Sequence, residues 1–294
     1  MIPGGSGRKY DIAVAYRIYP KVAKPALGLP FSEDKFRLSE ICLHSFRRSL
    51  GDSRVKTWAL LDGCPPEYAE LFQKYFAAED LVLVPLPAVG NYKTFLKQIE
   101  ILESQRDAEL VYFAEDDYLY RAGEFKLMIG FLQAGHNVDF VSPHDHPDYY
   151  KLELHHRPNL IRLFGDRHWR TAASTCLTFL TTRNTLRKSR RIFRSYGLRN
   201  FDSSLWLSLT KQGPFRIGDF CRWAFSDRFF AKVLLKSWLF GTGQILFGKK
   251  YQLWTPVPAI ATHLDAGGLA PGTDWVSLIL TEDALCLSEL AGKK

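Results

Sequence analysis

Between positions 12 and 142 short apolar runs alternate with segments of helical periodicity, and no other feature of the chain limits its fold as much. Residues 12–16, 55–61, 81–84, 110–114 and 138–142 have strand length and are apolar on both faces. Leu38, Ile41, Cys42 and Phe46 recur at helical spacing after the first run, behind Ser32, Glu33 and Asp34 as a cap. Tyr68, Leu71, Phe72, Tyr75 and Phe76 mark a second helix, Phe95, Ile99 and Leu102 a third, and residues 123–134 an apolar fourth. Such strands need cover on both faces, so the expected class is α/β with a mostly parallel central sheet and helices on either side.

Ligands of open parallel sheets sit beyond the carboxyl ends of the strands. Here those ends carry Arg17 and Tyr19, then Asp62-Gly63, then Gly90-Asn91, then Glu115-Asp116-Asp117, then His144-Asp145-His146. Neither a G-x-G-x-x-G nor a P-loop sequence is present, so the usual dinucleotide and nucleoside-triphosphate fingerprints are excluded. Three adjacent carboxylates at the end of a buried strand repel one another, at a cost of several kcal/mol if they are dehydrated without a cation. A hard divalent ion, Mg²⁺ or Mn²⁺, held by one or two of them and completed by phosphate oxygens removes that cost. The plain alternative is a solvated acidic turn.

The net charge of +8 is unevenly spread over the 294 residues. Residues 1–150 hold 17 Lys/Arg against 21 Asp/Glu, a net of −4, and residues 151–294 hold 22 against 10, a net of +12. The basic half therefore faces something anionic. Five scattered cysteines without paired spacing argue against a disulfide framework or a zinc ribbon and fit a reducing, cytoplasmic setting. No apolar stretch is long enough to span a bilayer, and residues 1–9 read as a flexible lead-in without the layout of a secretory signal.

The order Asp62-Gly63, Gly90-Asn91-Tyr92-Lys93, then Tyr112-Phe113-Ala114-Glu115-Asp116-Asp117 resembles the GT-A fold of nucleotide-sugar glycosyltransferases, family 2-like members in particular. The resemblance is good over residues 10–145 and looser beyond. It implies a metal-dependent enzyme that moves a sugar from a UDP- or GDP-linked donor to a hydroxyl on a glycan, polysaccharide or lipid-linked acceptor. Asp62 falls where the family reads the nucleotide base. Glu115-Asp116-Asp117 is similar to the family's Asp-x-Asp signature, which puts the Mn²⁺ or Mg²⁺ on Asp117 and the ribose or sugar on Glu115 or Asp116. Arg17, Tyr19, Asn91 and Lys93 are candidate donor contacts, with surface cations or a held turn as the plain readings.

In the second half, residues 160–164 and 175–181 read as strands and 183–199 as a basic helix. Asp202, leading into the next helix, resembles the family's catalytic base, which takes the acceptor proton in an inverting transfer; a helix cap is the alternative. Residues 256–264 read as a strand ending in His263, which resembles the family's C-terminal metal ligand. The loop 269–275 would cover the nucleotide, with Trp275 stacking or packing. Residues 10–150 are thus expected to form a donor half and 151–285 a smaller acceptor-side subdomain of the same GT-A domain, with 286–294 a tail.

The His144-Asp145-His146 group, with His155, His156 and His168, also admits a metallohydrolase, but no H-E-x-x-H helix supports one. Asp145 or His146 would otherwise border the donor sugar. The segment 229–250 interleaves Phe, Leu and Trp with lysines, as a core helix or as a peripheral contact at the inner face of a membrane. No nucleic-acid motif accompanies the basic residues, so no nucleic-acid partner is expected. The rival functions are a nucleotidyltransferase, and a non-catalytic carbohydrate- or partner-binding module on a degenerate transferase fold.

Overall fold

The computed structural model describes residues 9–21, 30–31, 33–156, 158–216, 218, 222–223, 226–265 and 268–291. The expected lead-in lies outside them except for Lys9, as do Ser32 of the expected cap and Cys221. The donor-side elements come in the expected order: β1 (Ile12–Ile18), α1 (Lys35–Ser49), β2 (Val55–Asp62), α2 (Glu67–Tyr75), β3 (Leu81–Leu86), α3 (Asn91–Ser104) and β4 (Leu110–Glu115). There follow a short β5 (Tyr118–Tyr120), α4 (Phe125–Ala134), β6 (Phe140–Val141) and α5 (Asp148–Lys151). The remainder holds β7 (Ile161–Phe164), β8 (Arg167–Ala172), β9 (Phe179–Thr182), α6 (Arg183–Arg194), α7 (Asp202–Thr210), α8 (Arg228–Phe247), β10 (Leu253–Val257), β11 (Ala261–His263) and α9 (Trp275–Ala291).

Among the described residues nine strands form one sheet in the order β3-β2-β1-β4-β9-β6-β10-β8-β7, and β11 pairs separately with β5. Following the pairings from strand to strand, only β9 and β8 run against the other seven. The sheet is therefore mostly parallel, as expected, and it is continuous through both halves of the chain.

All seven residues of β1 are buried, and they divide by parity. Val14, Tyr16 and Ile18 pack with α1 and α2 on one face, whereas Ala13 and Ala15 pack with α3, α6 and α7 on the other. That division is the physical content of a strand that is apolar throughout. On the first face Phe46 of α1 is fully buried against Tyr16, Tyr112, Tyr120 and Phe125, so Phe46→Ala would cost about 3–5 kcal/mol. On the second, Gln98 of α3 donates its amide to the carbonyls of Ala15 (2.7 Å) and Ala114 (3.0 Å), tying β1 to β4 just before both strands end.

Several boundaries differ from expectation. The strand expected at 138–142 contracts to two residues, and that at 175–181 begins only at Phe179. The run 256–264 is not one strand: it breaks at Pro258, which lacks the N–H to continue the ladder, and β11 then pairs with β5 instead. Residues 286–291, expected as tail, belong to α9, where Cys286 is buried.

Candidate functional site

A cavity of about 600 Å³ opens at the carboxyl ends of β1, β2 and β4. Its wall includes Arg17, Tyr19, Asp62, Asn91 and Glu115, together with Asp116, Asp117 and His263. Lys93 is exposed on α3 and does not line it; the lysines on its wall are Lys21 and Lys35.

The pleat explains the first contact. Arg17 and Glu115 are directly opposed across β1 and β4, so their side chains emerge side by side. The Arg17 guanidinium donates to Glu115 Oε1 and, through its other nitrogen, to Asn91 Oδ1 at the start of α3. Thr178 Oγ1 donates to Glu115 Oε2 (2.6 Å), so both oxygens of this carboxylate have partners.

Asp62 is only 2% exposed, and its two oxygens accept from Val89 N (2.6 Å) and Gly90 N (2.8 Å). The carboxylate thus braces the loop that leads into α3. Gly63 beside it has φ 68°, and a Cβ there would fall 2.9 Å from that of Ala88, so the tip of β2 and this loop interlock at a position suited to glycine.

The three acidic residues have three different surroundings. Glu115 is braced as described. Asp116 accepts from Tyr19 N (3.1 Å) and pairs with Lys35 Nζ (2.7 Å). Burial lifts its carboxyl above the ordinary value against the pull of Lys35, and the neighbouring Asp117 charge adds to the rise. Burial also works to lower the Lys35 ammonium, but Asp116 and Asp117 outweigh it and the group is pushed up to about 12. Lys35 opens α1, whose start is fixed by Asp34 accepting from Arg37 N at 2.9 Å.

Asp117 Oδ2 lies 2.9 Å from His263 Nε2, and Asp117 Oδ1 is buried with no hydrogen-bond partner. Burial pushes this carboxyl up, but His263, then Lys35 and Arg17, outweigh burial and hold it well below the ordinary range. His263 lies opposite Tyr118 in the β5–β11 pair, and the two rings stack at 4.8 Å. An unpaired carboxylate oxygen beside an imidazole is a donor set that fits a divalent cation. Among the described residues no three His, Cys, Asp or Glu side chains gather to hold an ion alone, so water or a bound phosphate would have to complete its shell.

Asp202 opens α7 and lines a second cavity, of about 160 Å³, with His146, Cys176, Phe229 and Phe230. Its Oδ1 accepts from Ser203 N at 2.6 Å, while the helix is capped at Phe201 without a side-chain bond. Burial raises the Asp202 carboxyl against the pull of Ser203 N–H, and Glu115 adds to the rise. Cys176, read from the sequence only as a scattered thiol, lines this cavity too; burial pushes its thiol up, but His146 and His263 outweigh burial and bring it below the ordinary value. The four described cysteines are free.

The remaining histidine motif is divided. Asp145 is buried and bound by Arg170 Nη2 (2.9 Å) and by the Tyr150 hydroxyl, which makes it a packing group. His144 is buried beneath Tyr118, and His156 and His168 are exposed. Trp275 is also a packing group: it is 1% exposed, and its Nε1 donates to Ala270 O at 2.8 Å. Among the described residues no helix is long and apolar enough to cross a membrane.

No family model and no curated protein matches the chain. Solved structures that it resembles include glycosyltransferases and a 4-diphosphocytidyl-2C-methyl-D-erythritol synthase of Anaerococcus prevotii DSM 20548, the latter 10% identical with 69% of this chain and 85% of that one covered and a TM-score of 0.40. The apo form of the glycosyltransferase GlyE of Streptococcus pneumoniae TIGR4 is 12% identical, with 96% of this chain and 64% of that one covered and a TM-score of 0.45. The galactosyltransferase LgtC with donor and acceptor sugar analogues is 10% identical, with 93% and 95% covered and a TM-score of 0.44. TarS 1–349 of S. aureus is 14% identical, with 62% of this chain covered and a TM-score of 0.40. The chain spans about half the length of that TarS fragment, 49%. Likeness at this level fixes neither a reaction nor the role of any residue.

Proposed function

We propose that the protein is a metal-dependent glycosyltransferase that moves a sugar from a nucleotide-diphosphate donor to a hydroxyl acceptor with inversion. The observation that carries this reading is the Asp117–His263 pair, with its partnerless carboxylate oxygen, in a cavity that Arg17, Lys21 and Lys35 also line. A volume of about 600 Å³ suits a ligand of nucleotide-sugar size.

Asp117 and His263 would hold Mn²⁺ or Mg²⁺, which when bound stabilises negative charge on the departing diphosphate. Lys35 and Lys21, rather than Lys93, place positive charge on the same wall. Asp62 sets the loop that borders the base, and Asn91, Arg17 and Tyr19 border the nucleoside. Glu115 and Asp116 serve by holding Arg17 and Lys35 in place, and each lines the donor cavity itself.

Asp202 takes the acceptor proton. Its raised carboxyl is a stronger base than an ordinary aspartate, and its cavity also holds Cys176, whose thiol feels the charge of His263 on the donor-cavity wall. Calorimetry with UDP and GDP, with and without Mn²⁺, tests the reading. Metal-dependent binding of one of them supports it, and failure to bind either would favour a non-catalytic module.

A further inference from the structure

The helix α8 buries one face and leaves an apolar stripe on the other. Val233, Leu234, Ser237, Gly241 and Ile245 face inward, and a Cβ on Gly241 would meet Ser208 Oγ of α7 at 2.4 Å, so the two helices touch closely. Leu235, Leu239 and Leu246 share the opposite face at helical spacing and are 57%, 71% and 47% exposed. Phe247, at the end of the helix, is 87% exposed. Adjacent apolar side chains this far into water mark an interaction surface rather than ordinary scatter.

The charge beside this stripe is all of one sign. Neither α6 nor α8 contains an Asp or Glu, whereas α6 alone carries Arg183, Arg187, Lys188, Arg190, Arg191 and Arg194. Arg190 and Arg194 spend their charge on Glu103. Lys188, Arg191, Arg228 and Lys232 have no acidic partner among the described residues. Lys188 and Arg191 form one side of a groove of about 270 Å³ whose other side is Leu239, Phe240 and Gln244 of α8. Exposed apolar groups flanked by unpaired cations match a lipid interface, where the apolar groups enter the acyl boundary and the cations meet headgroup phosphates.

We propose that the α6–α8 face docks on an anionic phospholipid surface, with Leu235, Leu239, Leu246 and Phe247 inserted and Lys188, Arg191, Arg228 and Lys232 on the headgroups. A nucleic acid would leave the leucines in water. A second copy of the chain would bring two wholly basic faces together, which like-charge repulsion opposes. The same helix begins with Phe229 and Phe230, which wall the cavity that holds Asp202. Docking by α8 would therefore bring that cavity near the lipid surface, within reach of a lipid-linked hydroxyl. This last step rests on the transferase reading; the docking does not.

Flotation of the full chain with vesicles tests the docking. Vesicles of phosphatidylcholine mixed with phosphatidylglycerol should bind it, those of phosphatidylcholine alone should not, and high salt should weaken binding. Lys188→Ala with Arg191→Ala should weaken it roughly 30-fold, taking about fivefold for each cation near the surface. Leu239→Ser with Phe247→Ser should abolish the salt-resistant part. Arg228→Ala with Lys232→Ala provides the same test on the other helix should the first pair lower the melting temperature. Nucleotide affinity should be unchanged in all of them, which separates this proposal from the donor-site reading. Equal binding to both vesicle types, no binding to either, or undiminished binding by the charge variants overturns the proposal. So does a lipid-free dimer that Leu239→Ser disrupts, because a second copy would then be the occupant.

Discussion

His263 Nε2 lies 2.9 Å from Asp117 Oδ2 although 146 positions separate the two residues. The contact is built by backbone register. β11 runs antiparallel to β5, His263 falls opposite Tyr118, and the aspartate just before Tyr118 is carried under the imidazole. The backbone N–H of Leu264 donates to Asp117 O at 2.8 Å and closes the junction on its other side.

Asp117→Asn and His263→Ala should each weaken Mn²⁺-dependent binding of UDP or GDP about 10–100-fold, the loss typical even for groups that only support a metal ligand. Calorimetric titrations with and without Mn²⁺ check this. Undiminished metal-dependent binding in Asp117→Asn would remove that residue from the cation site.

Asp202→Asn should leave nucleotide binding intact and lower turnover about 10²–10⁴-fold, the usual worth of a positioned general base. The amide is nearly isosteric and still accepts from Ser203 N, so the start of α7 is preserved. Turnover within a few-fold of the parent enzyme would return Asp202 to the role of a helix-opening residue.

Asp62→Ala should destabilise the fold by about 1–3 kcal/mol, because the N–H groups of Val89 and Gly90 both lose their acceptor. Asp62→Asn keeps one acceptor oxygen and should cost less. Urea titrations measure both, and equal stabilities of the two variants would show that the loop does not depend on this carboxylate.

His44 gives stability a pH dependence away from the cavity. Its ring is 1% exposed and sits on Tyr75, with Nδ1 2.8 Å from Glu282 Oε1 and Nε2 3.2 Å from Glu289 Oε1. Arg48 also faces Glu282, at 2.6 Å. Burial lowers the imidazole pKa, but the two carboxylates outweigh burial and raise it above 6.5. A pKa raised on folding contributes stability that is fully present below the unfolded value and is lost as pH rises through the folded value. The clamp of α9 on α1 should therefore weaken in that window, and His44→Gln should flatten the dependence in urea melts across neutral pH. A parallel pH profile in the variant would assign the effect elsewhere.

Strands β1 and β4 were legible in the sequence because burial on both faces writes them as continuous apolar runs, and β2 and the edge strand β3, though partly exposed, are apolar enough to read the same way. Strand β8 was not, because Arg167 and Arg170 on it look solvent-facing. In the fold Arg167 turns inward to Glu124 (3.0 Å) and Pro258 O (3.1 Å), and Arg170 turns to Asp145. Within the site the acidic end of β4 could be read from local order alone. Lys35 could not, since it reaches Asp116 only once α1 lies across the sheet edge. Cys176 offered no signal, because its neighbours His146 and His263 come from distant segments. A lysine at a helix start, directly after a capping aspartate and far in sequence from the acidic end of β4, is the kind of residue that only packing brings into view.

The β5–β11 pair has a temporal consequence. A chain growing from a ribosome can close its parallel core once β4 is made, but Asp117 has no imidazole beside it until residue 263 has emerged and folded back. The Asp117–His263 pair is thus finished late, after β1 to β4 are in place. Lesions confined to β11 can accordingly leave the large sheet packed while parting Asp117 from its imidazole, a change that a melting curve of the core would not register.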